Sequence, residues 1–253
     1  MKIDLNCDMG ESHGACTIGN DEAIMLYISS ANIACGFHGG DPLTIEKTIL
    51  SAIKYGVGIG AHPGYPDLEG FGRRPMILSS EELRAAMLYQ VGAVKTIAEA
   101  SGGKLQHVKP HGALYHAAST NFEMARVIAQ AVKDIDSTLI LVGLSQSELF
   151  RAAKEVGLAF ASEFFADRAY NDDGSLVSRN LPGALLQDTQ TVIDRVINMI
   201  KLKVVETISG KVIPVQAETI CIHGDNEMAM SFAENLVLAF KNAGIVIKPM
   251  GEK

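Results

Sequence analysis

The sequence predicts a parallel β/α barrel forming a single domain over residues 1–253. Three observations lead there. Short apolar runs alternate with amphipathic helical stretches from end to end, a rhythm that gives a parallel sheet with helices outside it. Four of the seven histidines, His38, His62, His111 and His223, follow apolar runs and precede Gly or Pro. They therefore fall at strand-to-loop corners, which a parallel barrel gathers at one rim. Finally, a length of 253 residues with no Pro/Ser-rich or charge-block linker suits one barrel better than two domains.

In chain order, strands are expected near residues 2–7, 31–35, 57–61, 105–109, 139–143, 158–162 and 218–222, with a last one near 245–248. Helical periodicity runs near 20–29, 42–55, 80–100, 120–133, 146–156, 188–208 and 226–243. Asp41-Pro42 is an N-cap followed by proline at the first helical position. Ser79 to Glu82, Thr120 to Glu123 and Ser145 to Glu148 fit capping boxes. Gly56, Gly102, Gly157 and Gly244 follow helical runs, as C-terminal caps do. Asn171-Asp172-Asp173-Gly174-Ser175 breaks the alternation and predicts a hairpin turn inserted in a βα loop.

The first strand is legible residue by residue. Side chains alternate between faces, so Ile3, Leu5 and Cys7 pack outward against helices while Asp4, Asn6 and Asp8 point into the barrel. Two buried carboxylates there require partners or a cation. Asp8, at the strand end, is a candidate metal ligand or general base, with Glu11 just beyond it at the mouth.

The remaining candidates converge on the same rim. Asp8 with His62 and His111 forms a set common at divalent metals, and His38 joins them at an equivalent corner. The same residues without metal could run acid–base chemistry, and the residue pattern leaves both open. The Gly/Pro-rich stretch after His62 has glycines that let the backbone approach a ligand closely. Arg73 and Arg74, which end that stretch, suit bidentate recognition of a carboxylate. Lys109 is a candidate anion binder or oxyanion stabiliser. Glu163 and Arg168 open what reads as a substrate-recognition loop, and Asn6 and His223 complete the binding candidates. Asp225 or Asn226 is expected to cap the last helix, and His107, inside the fourth strand, is expected to be structural.

A net charge of −7 and the lack of a basic stripe argue against nucleic acid. No apolar run reaches the roughly 20 residues of a membrane span. Four cysteines without CxxC spacing, and no leader pattern before the first strand, lead to the expectation of reduced thiols in a cytoplasmic protein. There is no P-loop, no GxGxxG and no GxSxG.

Taken together, Asp4–Glu11, Ser30–Asp41, Gly60–Arg74, Val108–Tyr115, Glu163–Tyr170 and Ile220–Asn226 closely resemble the motifs of the LamB/YcsF family, along essentially the whole chain. The resemblance implies a seven-stranded barrel of the glycoside hydrolase/deacetylase type. It also implies the role assigned to that family, the A subunit of bacterial 5-oxoprolinase: ATP-dependent opening of 5-oxo-L-proline to L-glutamate together with subunits B and C. The absent nucleotide motifs then suggest that ATP binds on the partner subunits. Deacetylases similar in fold use one Asp and two His at positions that correspond here to Asp8, His62 and His111. None of the helices expected here carries their HxxxH pair. Two alternatives remain, a carbohydrate deacetylase acting alone and a lactam-binding subunit without catalytic function. The homo-oligomeric state stays open.

Overall fold

The computed structural model describes residues 1–222 and 229–251. In chain order its elements are β1 (Lys2–Met9), α1 (Asp21–Ile24), β2 (Ser30–Ala34), α2 (Pro42–Tyr55), β3 (Gly58–His62) and α3 (Ser80–Ala100), then β4 (Leu105–Val108), α4 (Gly112–Thr120), α5 (Phe122–Ile135), β5 (Ile140–Leu144) and α6 (Glu148–Val156). They continue with β6 (Ala159–Phe165), α7 (Thr189–Leu202), β7 (Val204–Glu206), β8 (Val212–Pro214), β9 (Thr219–Ile222), α8 (Ala229–Asn242) and β10 (Val246–Ile247).

Seven parallel strands, β1 to β6 and β9, close into a barrel because β9 pairs with both β6 and β1. The short β10 adds to the start of β1, Lys2 against Val246. Leu5 and Cys7 on the outward face of β1 are fully buried in the main apolar core. Among the described residues, no helix is long and apolar enough to cross a membrane.

Helix boundaries follow local chemistry. Asp41 caps α2 by accepting from Thr44 N, Pro42 opens the helix, and Gly56 closes it at φ 68°. Ser79 and Glu82 form the expected capping box of α3. Two expected boxes shift. Thr120 ends α4, an unpredicted helix, and Asn121 caps α5 through Met124 N. Ser147, not Ser145, caps α6, because the chain turns through Gln146 at φ 61°.

The helix expected over 188–208 stops at Leu202. Lys203 adopts a left-handed φ of 56°, and the β-branched run that follows pairs as an antiparallel hairpin, Val205 against Ile213. The helix expected over 20–29 shortens to Asp21–Ile24. The insertion turn forms as expected: Asn171 N donates to Ser175 O, and Tyr170 bridges Leu176. The expected capping of the last helix by Asp225 or Asn226 lies outside the described residues.

Candidate active site

The barrel interior is a hydrogen-bonded polar column. At its base Asp4 accepts from Ser29 Oγ (2.7 Å), Ser30 Oγ (2.6 Å) and Thr219 Oγ1. Burial pushes the Asp4 carboxyl up to about 6, against the pull of those hydroxyls. One step higher, Asn6 Nδ2 donates to Glu163 Oε1 (3.1 Å) and Thr219 Oγ1 (2.6 Å), while its Oδ1 accepts from Asn32 (2.7 Å) and Lys109 (3.2 Å). Both amide hydrogens and both lone pairs are used. Asn6 is thus a spacer beneath the mouth and does not line the cavity above it.

At the upper end Lys109 is 2% exposed and lies 2.8 Å from Glu163 Oε1, 3.0 Å from Asp8 Oδ1 and 3.2 Å from Cys221 Sγ. Burial works against its charge, but Asp8 and the other groups around it outweigh that and raise the ammonium's pKa well above the lysine range. Burial likewise opposes ionisation of Asp8, yet His62 and Lys109 hold its carboxyl well below the usual range.

The imidazoles adjoin this pair. His62 Nδ1–H donates to Lys109 O at 2.6 Å, which turns Nε2 toward Asp8 Oδ2 (3.3 Å) and His111 Nδ1 (3.0 Å). His111 Nε2–H donates to Phe71 O at 2.8 Å. His38 stacks on His111 with centroids 3.7 Å apart and places Nε2 3.4 Å from Glu11 Oε1. Burial lowers His111 to about 3 and moves His38 in the same direction, so both rings are neutral near pH 7.

One ligand atom from each of Glu11, His38, His62 and His111 falls within 4.8 Å of the others. Neutral His38 and His111 rings, and backbone carbonyls that hold the outer nitrogens of His62 and His111, match the form in which imidazole binds metal. The set therefore fits a divalent cation. It differs from the expected trio: Glu11 and His38 join, and Asp8 stands alongside, tied to Lys109 and Asn32.

Glycines in the loop after β3, read from the sequence as admitting a ligand, instead make room for histidines. A Cβ on Gly64 would lie 2.7 Å from His38 Nδ1, and one on Gly72 would lie 2.8 Å from His111 Cδ2. In β3 itself, a Cβ on Gly60 would land on the His107 ring. That ring fills the barrel interior and bonds Asn32 Oδ1 at 2.8 Å, the structural role expected of it. Phe71, a non-glycine at φ 54°, is strained in the conformation that aims its carbonyl at His111.

Above these groups opens a cavity of about 760 Å³. Of the sequence-predicted residues, Asp8, Glu11, His62, Lys109, His111, Arg73 and Arg168 line it. Glu163 and His38 lie buried just behind them. Arg74 is not brought in: its guanidinium turns outward to Asp67 and Glu69. His223 lies outside the described residues. Phe71, Tyr115, His116 and Arg179, which the sequence did not single out, also line the cavity. Tyr115 stands one helical turn after His111, a spacing that could have flagged it; Arg179, in the insertion, carried no signal.

A model of the LamB/YcsF family matches residues 3–253. The chain belongs to the LamB/YcsF family. It is 50% identical over 246 residues to the 5-oxoprolinase A subunit of Geobacillus kaustophilus, covering 97% of this chain and 96% of that one. Identity to the protein of the same name from Tolumonas auensis is 51% over 249 residues, 98% and 99% of the two chains. Among solved structures, this LamB/YcsF chain matches the lactam utilization protein of Thermus thermophilus with a TM-score of 0.93 and 44% identity, over 98% and 99% of the chains. A family 4 carbohydrate esterase from Streptomyces lividans shares the fold alone, with a TM-score of 0.50 and 10% identity over 99% and 93%.

Proposed function

We propose that this chain is the A subunit of a cytoplasmic 5-oxoprolinase and opens the ring of 5-oxo-L-proline to L-glutamate, with ATP consumed by the complex it forms with subunits B and C. One observation carries the reading. In a chain half identical, end to end, to proteins of that name, a carboxylate, an ammonium and paired imidazoles meet at the floor of one cavity. The cytoplasmic location is supported by four free cysteines.

An unstrained five-membered lactam resists hydrolysis without coupling. The chain lacks a P-loop and a dinucleotide fingerprint, so the reading assigns ATP to the partners, which transfer a phosphoryl group to the lactam carbonyl oxygen. In the barrel, water then attacks the carbonyl carbon. Its proton passes to His62 Nε2, whose imidazolium is stabilised by Asp8 at 3.3 Å. The ring C–N bond breaks, and that proton goes to the departing nitrogen. A second water cleaves the resulting acyl phosphate to glutamate and phosphate, so one ATP and two waters are consumed per ring.

Lys109, its hydrogens already directed to Glu163, Asp8 and Asn6, acts by charge: it keeps Asp8 ionised and favours developing negative charge nearby. Arg73 lines the cavity and receives the substrate carboxylate. A divalent cation, held by Glu11, His38, His62 and His111, would polarise the carbonyl or acidify the attacking water when bound; with His62 Nε2 then committed to it, Asp8 beside the cluster would accept the water's proton.

Asp8→Asn and His111→Ala, each assayed with subunits B and C, test the proposal. Loss of turnover with assembly and lactam affinity intact is expected. Loss of lactam binding alone would instead make this a binding subunit without chemistry of its own.

A further inference from the structure

The cavity presents cationic side chains on two sides. Arg73 stands on the side of His111 and Phe71, its guanidinium 4.9 Å from the Phe71 ring centroid. A second group, Arg168, Arg179 and His116, comes from different elements: the loop after β6 and helix α4. Arg168 is 2% exposed and is among the largest fully buried side chains. Its Nη2 donates to Val177 O at 2.7 Å, while its Nε–H has no acceptor among the described residues. A buried guanidinium hydrogen left unpaired is costly, and it is worth most when a charged oxygen meets it.

The charges around Arg168 agree. Burial and the repulsion of Arg179 draw its pKa down to about 10, and the nearby Asp167 offsets Arg179 only in part. The walls around His116 and the charges of Arg168 and Arg179 lower the pKa of that ring as well. Two arginines thus lie near one another here, and the buried Nε–H of Arg168 is unmet among the described residues.

We propose that Arg168, Arg179 and His116 form a subsite for a phosphoryl group, so that the ligand this cavity takes is a small carboxylate that also carries a phosphoryl group. The inference rests on the proposed function for its second anion, the carboxylate at Arg73. A guanidinium fork beside a second arginine matches the three oxygens of a phosphoryl group better than the two of a carboxylate. The volume of about 760 Å³ leaves room for both anions at once.

Calorimetric titration of the full chain tests this with three probes: 5-oxo-L-proline, 2-amino-6-phosphonohexanoate and 2-aminoheptanedioate. The last two have the same length and end in a phosphonate or a carboxylate. The phosphonate is expected to bind about tenfold more tightly than either of the others, and Arg179→Ala to remove that advantage while changing 5-oxo-L-proline affinity less than about twofold. Arg179 is exposed, so its replacement does not threaten the fold.

Equal affinity for the two chain-matched probes would overturn the phosphoryl assignment, as would an Arg179→Ala variant that binds the phosphonate as well as the parent does. Neither partner subunits nor turnover enter the readout. A chain that binds the phosphonate through Arg179 yet supports no lactam hydrolysis with B and C keeps the subsite and loses the proposed reaction. The reverse result does the opposite.

Discussion

His62 Nε2 and His111 Nδ1 face each other across 3.0 Å, and each ring already donates its other hydrogen to a backbone carbonyl. Two lone pairs at that separation repel unless a proton or a cation lies among them. With Glu11 and His38 completing the cluster, the chain stripped with chelator is expected to bind one equivalent of Zn²⁺ or Mn²⁺. At a hundredfold excess over Kd, binding should stabilise the fold by about 2.7 kcal/mol. Glu11→Gln should weaken it at least about tenfold by calorimetry, in the range seen when metal sites lose supporting groups. Absence of both heat and thermal shift would leave a shared proton as the bridge.

Lys109 neutralises Asp8 and Glu163 together, all three being wholly or largely buried. Lys109→Met leaves two carboxylates without their cation and should cost about 3–5 kcal/mol in urea denaturation, besides abolishing turnover. Adding Glu163→Gln should recover part of that stability without restoring activity. If the two changes are simply additive, the pair is not coupled as described.

Gly60 and His107 occupy one volume inside the barrel. Gly60→Ala should therefore destabilise by about 1–3 kcal/mol, as overpacking does. In a His107→Ala background, where the ring is gone, the same change should cost far less. A cost unaffected by His107 would locate the constraint in the backbone of β3.

Asp4 sets a pH dependence of stability with a definite sign. Its carboxyl titrates near 6 in the folded chain and at 3.8 as its ordinary value. The native state therefore holds the proton more tightly. The stabilisation is complete below about pH 4 and is lost as pH rises through 6, a span of about 3 kcal/mol. His107 and His111, both lowered to about 3, act in the other direction: their contribution is present above pH 6.5 and is lost on acidification. Asp4→Asn should steepen the net loss of stability below pH 6, since it removes the only one of these contributions that grows there. Identical pH profiles for the variant and the parent would refute the assignment.

Much of this architecture could be read in the residue order. Strand periodicity placed Asp4, Asn6 and Asp8 inside, and the recurrent His-Gly and His-Pro corners marked one rim, because both signals are local and the parallel topology does the assembling. What escaped depended on contacts between distant segments. Arg73 and Arg74 are indistinguishable as neighbours in sequence, and only the closure of the loop on Asp67 turns Arg74 outward. Asn6 read as a binding group because nothing local shows that Glu163, Thr219, Asn32 and Lys109 use all its bonding capacity. The hairpin after α7 was hidden by helical periodicity that runs into a β-branched segment. Arg179 sits in an insertion without any repeating pattern.

The column from Asp4 to Lys109 also constrains how such a protein can drift or be engineered. Each member donates to or accepts from its neighbours, so replacing one inner stave residue frustrates two or three others at once. Thermal hardening of this scaffold belongs on its outer helices and surface loops. Inside the staves, simultaneous replacement of whole bonded sets is the route that leaves no group stranded.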